Sequence, residues 1–430
     1  EFGLDLGSEI SGPLGIDATV TFQRPGQPRI NANLDLTAMK VDLDDLGWRK
    51  VPGVPAKLTV AGLMSTDRRL GNVAFDGAGG GLSTRGQLRM SGDKFQRVDF
   101  ERLIAGRNDL QGFVEAKDGG YIVRAKGAAI DVSGMFSTDD DTPPPKERTP
   151  KVERPKPTPL DIKITTDRIW LGEKRWFDAV TATLLREPEG WRTVEVDAKV
   201  GPNLKHFAIS YGQKKNYRDL TVYSDDAGET LRMLGVLDSA VGGTLQVTGI
   251  EQSAETPLKG EILVENFQVM NAPVLARILS AASLTGIVQS MAGKGLPFDK
   301  LRADYSLQDE LMELRDGRAR SADLGLTVEG KVDFYLETLD LKGLIVPAYT
   351  INSLLANIPI LGQLFGGPGG GLFAATYTVR GPLNDPSVGV NPLSVLTPGF
   401  LRYIFSIFDG PGGVSDAPVT PPADLHGGSR

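Results

Sequence analysis

Apolar side chains alternate with polar ones over long stretches of this chain, and this period of two most constrains the fold it can adopt. The longest alternating stretch spans thirteen positions, and its apolar series is Leu324, Leu326, Val328, Gly330, Val332, Phe334 and Leu336. A strand of that length extends about 43 Å, at about 3.3 Å per residue. Because successive side chains of a strand point to opposite faces, the pattern predicts strands with one apolar face and one wet face.

Shorter alternating series occur near both ends of the first two hundred residues: Ile16, Ala18, Val20 and Phe22; Ile30, Ala32, Leu34 and Leu36; Val194, Val196, Ala198 and Val200. The chain is therefore predicted to be mainly β, with antiparallel sheets. Two arrangements would cover the apolar faces. Either two sheets close on each other as a sandwich, or one elongated, twisted sheet curls into a groove lined with apolar side chains.

Residues 343–379 carry no charged side chain, although 23% of the whole chain is charged. Pro347, Pro359, Pro368 and the cluster Gly366–Gly371 divide this run into pieces shorter than the roughly 20 residues that a bilayer core requires. The run is therefore predicted to form an apolar, helix-bearing module and not a membrane span. Together with the long one-sided strands, it favours the groove over the sandwich.

A few amphipathic or apolar helices are predicted towards the C-terminal end, at Asn271–Ala292, Ile351–Phe365 and Leu393–Phe408. Pro273 suits the first turn of the first of these. A shorter helix is predicted through Glu229 and Leu234, with Asp225 or Asp226 as its N-cap. Two roles stay open for the three longer helices. They either cap the end of the groove and touch a membrane, or they fill the core of the last domain.

Four segments follow from composition. Residues 1–136 form a β-groove segment, 137–159 a linker, 160–409 a second β-groove with terminal helices, and 410–430 a tail. Seven of the 23 linker residues are proline and ten are charged, so we expect the linker to be disordered. The tail is expected to be disordered as well. The opening residues EFGLDLGSEI hold neither an initiator methionine nor a signal peptide, so we expect a targeting signal or anchor upstream.

The sequence offers little material for catalysis. It has no cysteine and only two histidines, His206 in an alternating strand and His426 in the tail. Glycine clusters at Gly77 and Gly366 lack a phosphate-loop signature and are predicted to be turns. The tryptophans Trp170, Trp176 and Trp191 are predicted to pair across hairpins. A net charge of −7 without basic clusters argues against nucleic-acid binding, and we expect no nucleic-acid partner. We expect no enzyme activity, no metal and no cofactor.

The order of features in the second half resembles the C-terminal region of the AsmA-like family, in particular its large YhdP-type members of the Gram-negative envelope. The resembling segments are SDDAGETLRMLGVLDSAVGGTL from Ser224, LKGEILVENFQVMNAPVLARILSAASLTG from Leu258, GKGLPFDKLRADYSL from Gly293, GLIVPAYTINSLLANIPILGQLFGG from Gly343, and FAATYTVRGPLNDPSVGVNPLSVLTPGFLRYIF from Phe373. They cover most of residues 160–408. The resemblance implies a twisted β-groove, anchored in the inner membrane by an upstream segment, that crosses the periplasm and carries phospholipid to the outer membrane.

The expected function is therefore non-enzymatic phospholipid transport between the inner and outer membranes along an apolar β-groove. The expected partners are phospholipid acyl chains, the two membranes and envelope proteins. The alternative is a structural or interaction protein of the envelope, built of closed β-sandwiches with a C-terminal module that docks a membrane or a partner. The residues predicted to contact lipid are Leu324, Leu326, Val328, Val332, Phe334, Leu336, Ile262, Val264, Leu275, Ile278, Leu279, Leu354, Leu355, Ile360, Leu361, Leu364, Phe365, Phe400, Leu401 and Ile404.

Overall fold

A computed structural model describes residues 9–22, 27–43, 47–64, 70–92, 94–135, 156–253, 255–282, 284–347 and 375–391. Within these ranges the protein is mainly β, with three α-helices, and its strands pair almost entirely in the antiparallel sense. The predicted fold class is confirmed. The described strands fall into two compact units. Along the described residues, the first unit ends at Leu204 and the second begins at Lys205.

The first unit contains fourteen strands: β1 (Ile10–Ser11), β2 (Gly15–Thr21), β3 (Arg29–Asp35), β4 (Lys40–Leu43), β5 (Trp48–Lys50), β6 (Ala56–Met64), β7 (Leu70–Gly79), β8 (Leu82–Ser91), β9 (Lys94–Ala105), β10 (Asn108–Lys117), β11 (Gly120–Asp131), β12 (Leu160–Gly172), β13 (Arg175–Glu187) and β14 (Gly190–Val200). A 3-10 helix, Ser133–Met135, follows β11. The main sheet has the order β2-β3-β6-β7-β8-β9-β10-β11-β12-β13-β14. Strands β1, β4 and β5 form a separate small sheet.

One pair in the main sheet is parallel: β11 and β12 pair from Tyr121 with Leu160 to Asp131 with Trp170. Parallel neighbours need a long crossover connection, and here the connection contains the proline-rich segment predicted as a linker. Most of that segment lies outside the described residues. The linker therefore joins two adjacent strands of one sheet, whereas the boundary between the compact units follows β14.

Two arginines hold the parallel pair together. Arg124 of β11 donates to the carbonyl oxygen of Asp161 at 2.7 Å and to its carboxylate at 2.8 Å. At the other end, Arg107 donates to the Asp131 carboxylate at 2.8 Å and to the carbonyl oxygen of Gly172 at 3.1 Å. These charge-assisted bonds link β11 to β12 at both ends, so they fix the register of a pairing that no short turn could set.

The second unit contains eleven strands and three helices: β15 (Lys205–Gln213), β16 (Arg218–Ser224), α1 (Ala227–Met233), β17 (Ala240–Val241), β18 (Thr244–Glu251), β19 (Leu258–Val269), α2 (Pro273–Ala281), α3 (Thr285–Gly293), β20 (Leu296–Gln308), β21 (Leu311–Arg320), β22 (Leu324–Asp333), β23 (Thr338–Pro347), β24 (Ala375–Pro382) and β25 (Ser387–Asn391). The sheet order is β15-β16-β18-β19-β20-β21-β22-β23-β24-β25, with short β17 beside β19. Most of these connections are hairpins between consecutive strands.

The long strand predicted from Leu324 to Leu336 is three residues too long. The observed strand β22 ends at Asp333, whose carboxylate accepts hydrogen bonds from the backbone N–H groups of Tyr335 and Leu336, at 3.1 and 3.0 Å. This local side-chain bonding starts a turn in place of another ladder residue. Phe334 consequently lies in the turn and is 48% exposed.

The helix predicted at Asn271–Ala292 is in fact two helices, α2 and α3. Pro273 occupies the first turn of α2, as predicted. The backbone leaves the helix after Ala281, and the N–H of Leu284 bonds back to the carbonyl oxygen of Leu279 at 2.8 Å. The N-cap prediction for α1 is confirmed, since the Asp226 carboxylate accepts from the N–H of Glu229 at 3.0 Å. The helices predicted at Ile351–Phe365 and Leu393–Phe408 lie outside the described residues.

Two smaller predictions are confirmed in part. Gly80 and Gly81 both have positive φ and form the turn between β7 and β8, so the glycine cluster that begins at Gly77 ends in a turn. The glycine cluster at Gly366 lies outside the described residues. Trp170 and Trp176 are directly paired across the β12–β13 hairpin, with ring centroids 5.4 Å apart. Trp191 instead pairs with Arg186 across the β13–β14 hairpin. None of the described helices is both long enough and apolar enough to cross a bilayer.

Candidate functional site

The candidate site in each unit is the apolar face of its main sheet, and strand register shows how far that face extends. Directly paired residues of neighbouring strands project from the same face. A set of such pairs that continues from strand to strand is therefore a row of side chains running across the sheet. Tracing the pairs through the first unit gives two complete rows.

Row 1 crosses all eleven strands of the first unit's main sheet and contains only apolar residues: Val20, Ile30, Gly62, Val73, Leu88, Val98, Val114, Val123, Ile162, Leu184 and Val194. Row 2 lies beside it and is equally apolar: Ala18, Ala32, Val60, Phe75, Gly86, Phe100, Gly112, Ala125, Ile164, Ala182 and Val196. No polar or charged side chain interrupts either row.

Most side chains of these rows are neither buried nor fully exposed. In row 1 only Val73 is buried, at 8% exposure, and in row 2 only Gly86 and Ala182 are. The core of a closed sandwich would bury most of them against a second sheet. The small sheet β1-β4-β5 covers a different part of the face, where Val41 and Trp48 pack against Leu103 and Ala105. Among its described residues the first unit has no α-helix to cover the rows.

The opposite face of the same strands is charged. Arg97 bonds to Glu115 at 2.7 Å, Arg89 to Asp99 at 3.0 Å, and Arg85 pairs with Asp76 at 2.7 Å. Hydrogen bonding from Arg97 lowers the pKa of Asp99, so this carboxylate stays ionised over a wide pH range. The sheet of the first unit therefore separates a hydrated, charged face from an apolar face that remains partly accessible.

The second unit repeats this division, but helices cover part of its apolar face. Ion pairs on the polar face include Arg302 with Glu261 at 2.6 Å and Lys342 with Glu329 at 3.0 Å. On the apolar face, Leu279 of α2 and Met291 of α3 are 0% and 2% exposed. They pack in one hydrophobic cluster with residues of β18 to β24, among them Leu245, Val264, Leu324, Ile345 and Ala375.

Helix α2 lies inside the curvature of this sheet. It begins only a few residues after β19, yet Arg277 in α2 donates to the carbonyl oxygen of Pro386, beside β25, at 3.0 Å. Six strand-to-strand steps separate β19 from β25 in the sheet order, a path of roughly 29 Å along a flat sheet at about 4.8 Å per step. A helix so close to β19 reaches β25 because the sheet curls around it.

The structure divides the predicted lipid-contacting residues into three groups. Val264, Ile278, Leu279 and Leu324 are buried by the chain's own side chains. Partly or fully exposed are Ile262, Leu275, Leu326, Val328, Val332, Phe334 and Leu336. Leu354, Leu355, Ile360, Leu361, Leu364, Phe365, Phe400, Leu401 and Ile404 lie outside the described residues.

Rows 1 and 2 were absent from the residues predicted to contact lipid, which all belong to the second half of the chain. The signal for them was present in the sequence. Val20, Ile30, Val194 and Val196 belong to the alternating series already recognised there. What the alternation could not show is that these series join into continuous rows, because that depends on the register between strands.

Among the described residues, the apolar faces offer mainly contact with hydrocarbon and, at a few points, hydrogen bonding and charge. In the described part of the chain, no group of histidine and acidic side chains is arranged to hold a metal ion. The fold and the rows thus present a surface for an apolar ligand. Comparisons of the chain with family models, with curated proteins and with solved structures found no match.

Proposed function

We propose that this protein binds phospholipid acyl chains along its apolar sheet faces and transports lipid between two membranes without a chemical step. The observation that carries the proposal is the pair of uninterrupted, partly exposed apolar rows across eleven strands of the first unit. A soluble protein rarely leaves so long an apolar surface accessible unless something apolar occupies it.

The energetics favour sliding over fixed binding. Each buried CH₂ group contributes about 0.8 kcal/mol, so one acyl chain supplies enough stabilisation without polar recognition. Rows 1 and 2 offer an apolar residue at every strand, at a spacing of about 4.8 Å, although these residues range in size from glycine to phenylalanine. An acyl chain that moves by one strand exchanges one set of apolar contacts for another. No polar bond has to break in this step, and this favours movement.

The charged face of the sheet supports the same reading. Ion pairs such as Arg97 with Glu115 keep that face in water, while the lipid headgroup stays at the edge of the apolar face. The periplasm, an inner-membrane anchor upstream and delivery to the outer membrane are further parts of the proposal. They rest on the resemblance of residues 160–408 to the AsmA-like family.

The alternative function, a structural or interaction protein with closed cores, draws support from the second unit. There α2 and α3 fill the curvature of the sheet, and Leu279 and Leu324 are both 0% exposed. This packing favours the reading in which the helices at Asn271–Ala292 plug the core. It concerns the second unit only, whereas rows 1 and 2 belong to the first unit.

Photocrosslinking at adjacent positions tests the proposal. A photoreactive amino acid replaces Leu88, which lies in row 1, or Gln87, which precedes it and faces the charged side. The protein is irradiated in cells labelled with radioactive phosphate and then purified under denaturing conditions. We expect labelled phospholipid on the Leu88 variant and none on the Gln87 variant. Equal labelling of the two variants contradicts lipid binding on the apolar face. So does the absence of label on both variants, if mass spectra of the purified protein also show no lipid.

A further inference from the structure

Three polar side chains interrupt the apolar face of the second unit at one place. Arg218 projects from the same face as Leu220, and Glu251 from the same face as Gly249, because each is two residues away on its strand. Arg218 donates from Nη1 to Glu251 Oε2 at 3.0 Å and to the Tyr211 hydroxyl at 3.2 Å. The Tyr211 hydroxyl in turn lies 2.6 Å from the same carboxylate oxygen and donates to it.

This cluster is largely shielded from water. The side chains of Arg218 and Glu251 are only 20% and 15% exposed. An ion pair in a shielded position is unfavourable unless its geometry is good, and apolar residues of similar volume at these positions would stabilise the fold at least equally. Its net charge is zero, yet it presents a separate cation and anion to any ligand on the apolar face. Arg218 also has more donors than its two bonds from Nη1 use.

A fourth polar group lies next to the cluster. Tyr305 is 5% exposed, and its hydroxyl has no hydrogen-bond partner among the described residues. The hydroxyl lies 2.5 Å from where a Cβ of Gly249 would be, so the tyrosine ring extends across Gly260 towards β18. Gly249 and Glu251 are two residues apart, about 7 Å along the strand. The Tyr305 hydroxyl and the Arg218–Glu251 pair thus face the same small region.

The hydroxyl of Tyr305 is available as a donor. Burial raises the pKa of Tyr305 to about 12, so the group stays protonated at any physiological pH. A buried hydroxyl without a partner is destabilising by itself. It is therefore best explained by an acceptor that the ligand supplies.

We propose that Tyr211, Arg218, Glu251 and Tyr305 form a subsite for the polar end of a zwitterionic phospholipid. This proposal rests on the proposed function. Arg218 binds the phosphate, Glu251 binds the ammonium group, and the Tyr305 hydroxyl donates to an ester carbonyl oxygen. An anionic phospholipid without an ammonium group leaves Glu251 near the phosphate, and we therefore expect it to bind less tightly.

The test compares three soluble probes: diheptanoylphosphatidylcholine, diheptanoylphosphatidylglycerol and the apolar dye N-phenyl-1-naphthylamine. The variants are Tyr305→Phe and, as a matched control, Tyr377→Phe. The Tyr377 hydroxyl already donates to the carbonyl oxygen of Thr327 at 2.6 Å. Tyr305→Phe is expected to bind the choline lipid about five- to tenfold more weakly and the dye unchanged. Its melting temperature without lipid should equal or exceed that of the wild type.

Tyr377→Phe should show the opposite pattern, a lower melting temperature with choline-lipid affinity within twofold of the wild type.

A second variant, Glu251→Gln, should reverse the preference so that the phosphatidylglycerol binds more tightly than the phosphatidylcholine. The subsite proposal is overturned if Tyr305→Phe binds the choline lipid as tightly as the wild type does. It is also overturned if this variant melts at a lower temperature than the wild type without lipid. A wild type that binds neither lipid nor dye contradicts the proposed function itself. Dye binding with equal affinity for both lipids overturns only the subsite.

Discussion

Arg277 of α2 donates a hydrogen bond to the carbonyl oxygen of Pro386 at 3.0 Å, although the two residues are 109 positions apart in the chain. A second bond joins the same guanidinium to the carboxylate of Asp385 at 2.9 Å. The helix that leaves β19 is thus tied to the turn before β25. These contacts tie α2 to the last strand of the sheet that curls around it.

Replacing Arg277 should loosen the end of the sheet. We expect Arg277→Ala to lower the free energy of unfolding by about 1–2 kcal/mol, because it removes a charged hydrogen bond to a carbonyl and a mostly exposed ion pair. Hydrogen exchange in residues 387–391 should accelerate. The control is Arg232→Ala, which removes an ion pair with Glu229 inside α1. If exchange in residues 387–391 is unchanged in Arg277→Ala, α2 does not hold the sheet edge.

The period of two predicted the strands and their faces because alternation depends only on neighbouring residues. It assigned Val20 and Ile30 to an apolar face before any pairing was known, and the structure places them opposite each other in row 1. Register between strands depends on turns and bulges that a sequence does not display. The continuous rows therefore emerged only from the structure.

Local side-chain chemistry explains the errors. The carboxylate of Asp333 ends β22 early, and an aspartate at a polar position of the alternation gives no sign of that role. The parallel pairing of β11 with β12 could not be predicted either, since it bridges a segment that composition alone marks as a linker. Alternation likewise cannot show whether α2 covers an apolar face or leaves it open.

Glycines set how closely strands approach in the second unit. A Cβ added at Gly260 would lie 1.7 Å from the carbonyl oxygen of Thr248 on the neighbouring strand. We expect Gly260→Ala to cost about 2–3 kcal/mol in unfolding free energy, because the two backbones must separate. Gly212→Ala, where a Cβ would meet nothing within 4 Å, should be neutral. Urea denaturation of both variants checks this, and equal midpoints would show that the sheet relaxes without penalty.

The bond between Arg107 and Asp131 makes the first unit sensitive to acid. Burial raises the pKa of Asp131, but hydrogen bonds from Ser133 and from the guanidinium of Arg107 have the larger, opposite effect, so the pKa is lowered. In the unfolded chain the pKa of an aspartate is about 3.9. Because the pKa of Asp131 is lower in the folded state, its ionised carboxylate stabilises the fold fully above that pH. This stabilisation is lost as the pH falls through the folded-state value.

Asp131→Asn should therefore cost about 2–3 kcal/mol at pH 7, since it leaves Arg107 without its anionic partner. The difference from the wild type should shrink below pH 4 and vanish in stronger acid. Urea midpoints measured between pH 7 and pH 2.5 provide the check, with Asp109→Asn on the exposed side of β10 as the control. A difference that stays constant with pH would refute the role of the ionised carboxylate.

A charge on the partly exposed apolar face of the second unit should hinder lipid. Val328→Asp places a carboxylate on the apolar face beside Gly317, its directly paired neighbour on β21. We expect less phospholipid in mass spectra of the purified variant and reduced lipid transport in cells. Glu329→Gln, one residue away on the charged face, should leave both unchanged because its ion pair with Lys342 is exposed and weak.

The first unit allows the sharpest comparison, because one strand offers both faces to the same substitution. Val114 lies in row 1 and is partly exposed, whereas Gln111 on β10 is exposed on the charged face. Val114→Asp should cost only about 1 kcal/mol in stability, since its carboxylate can still reach water, but an acyl chain over row 1 would desolvate that charge. We expect at least tenfold less bound phospholipid in Val114→Asp and wild-type amounts in Gln111→Asp. Equal lipid in the two folded variants would mean that row 1 does not contact the lipid.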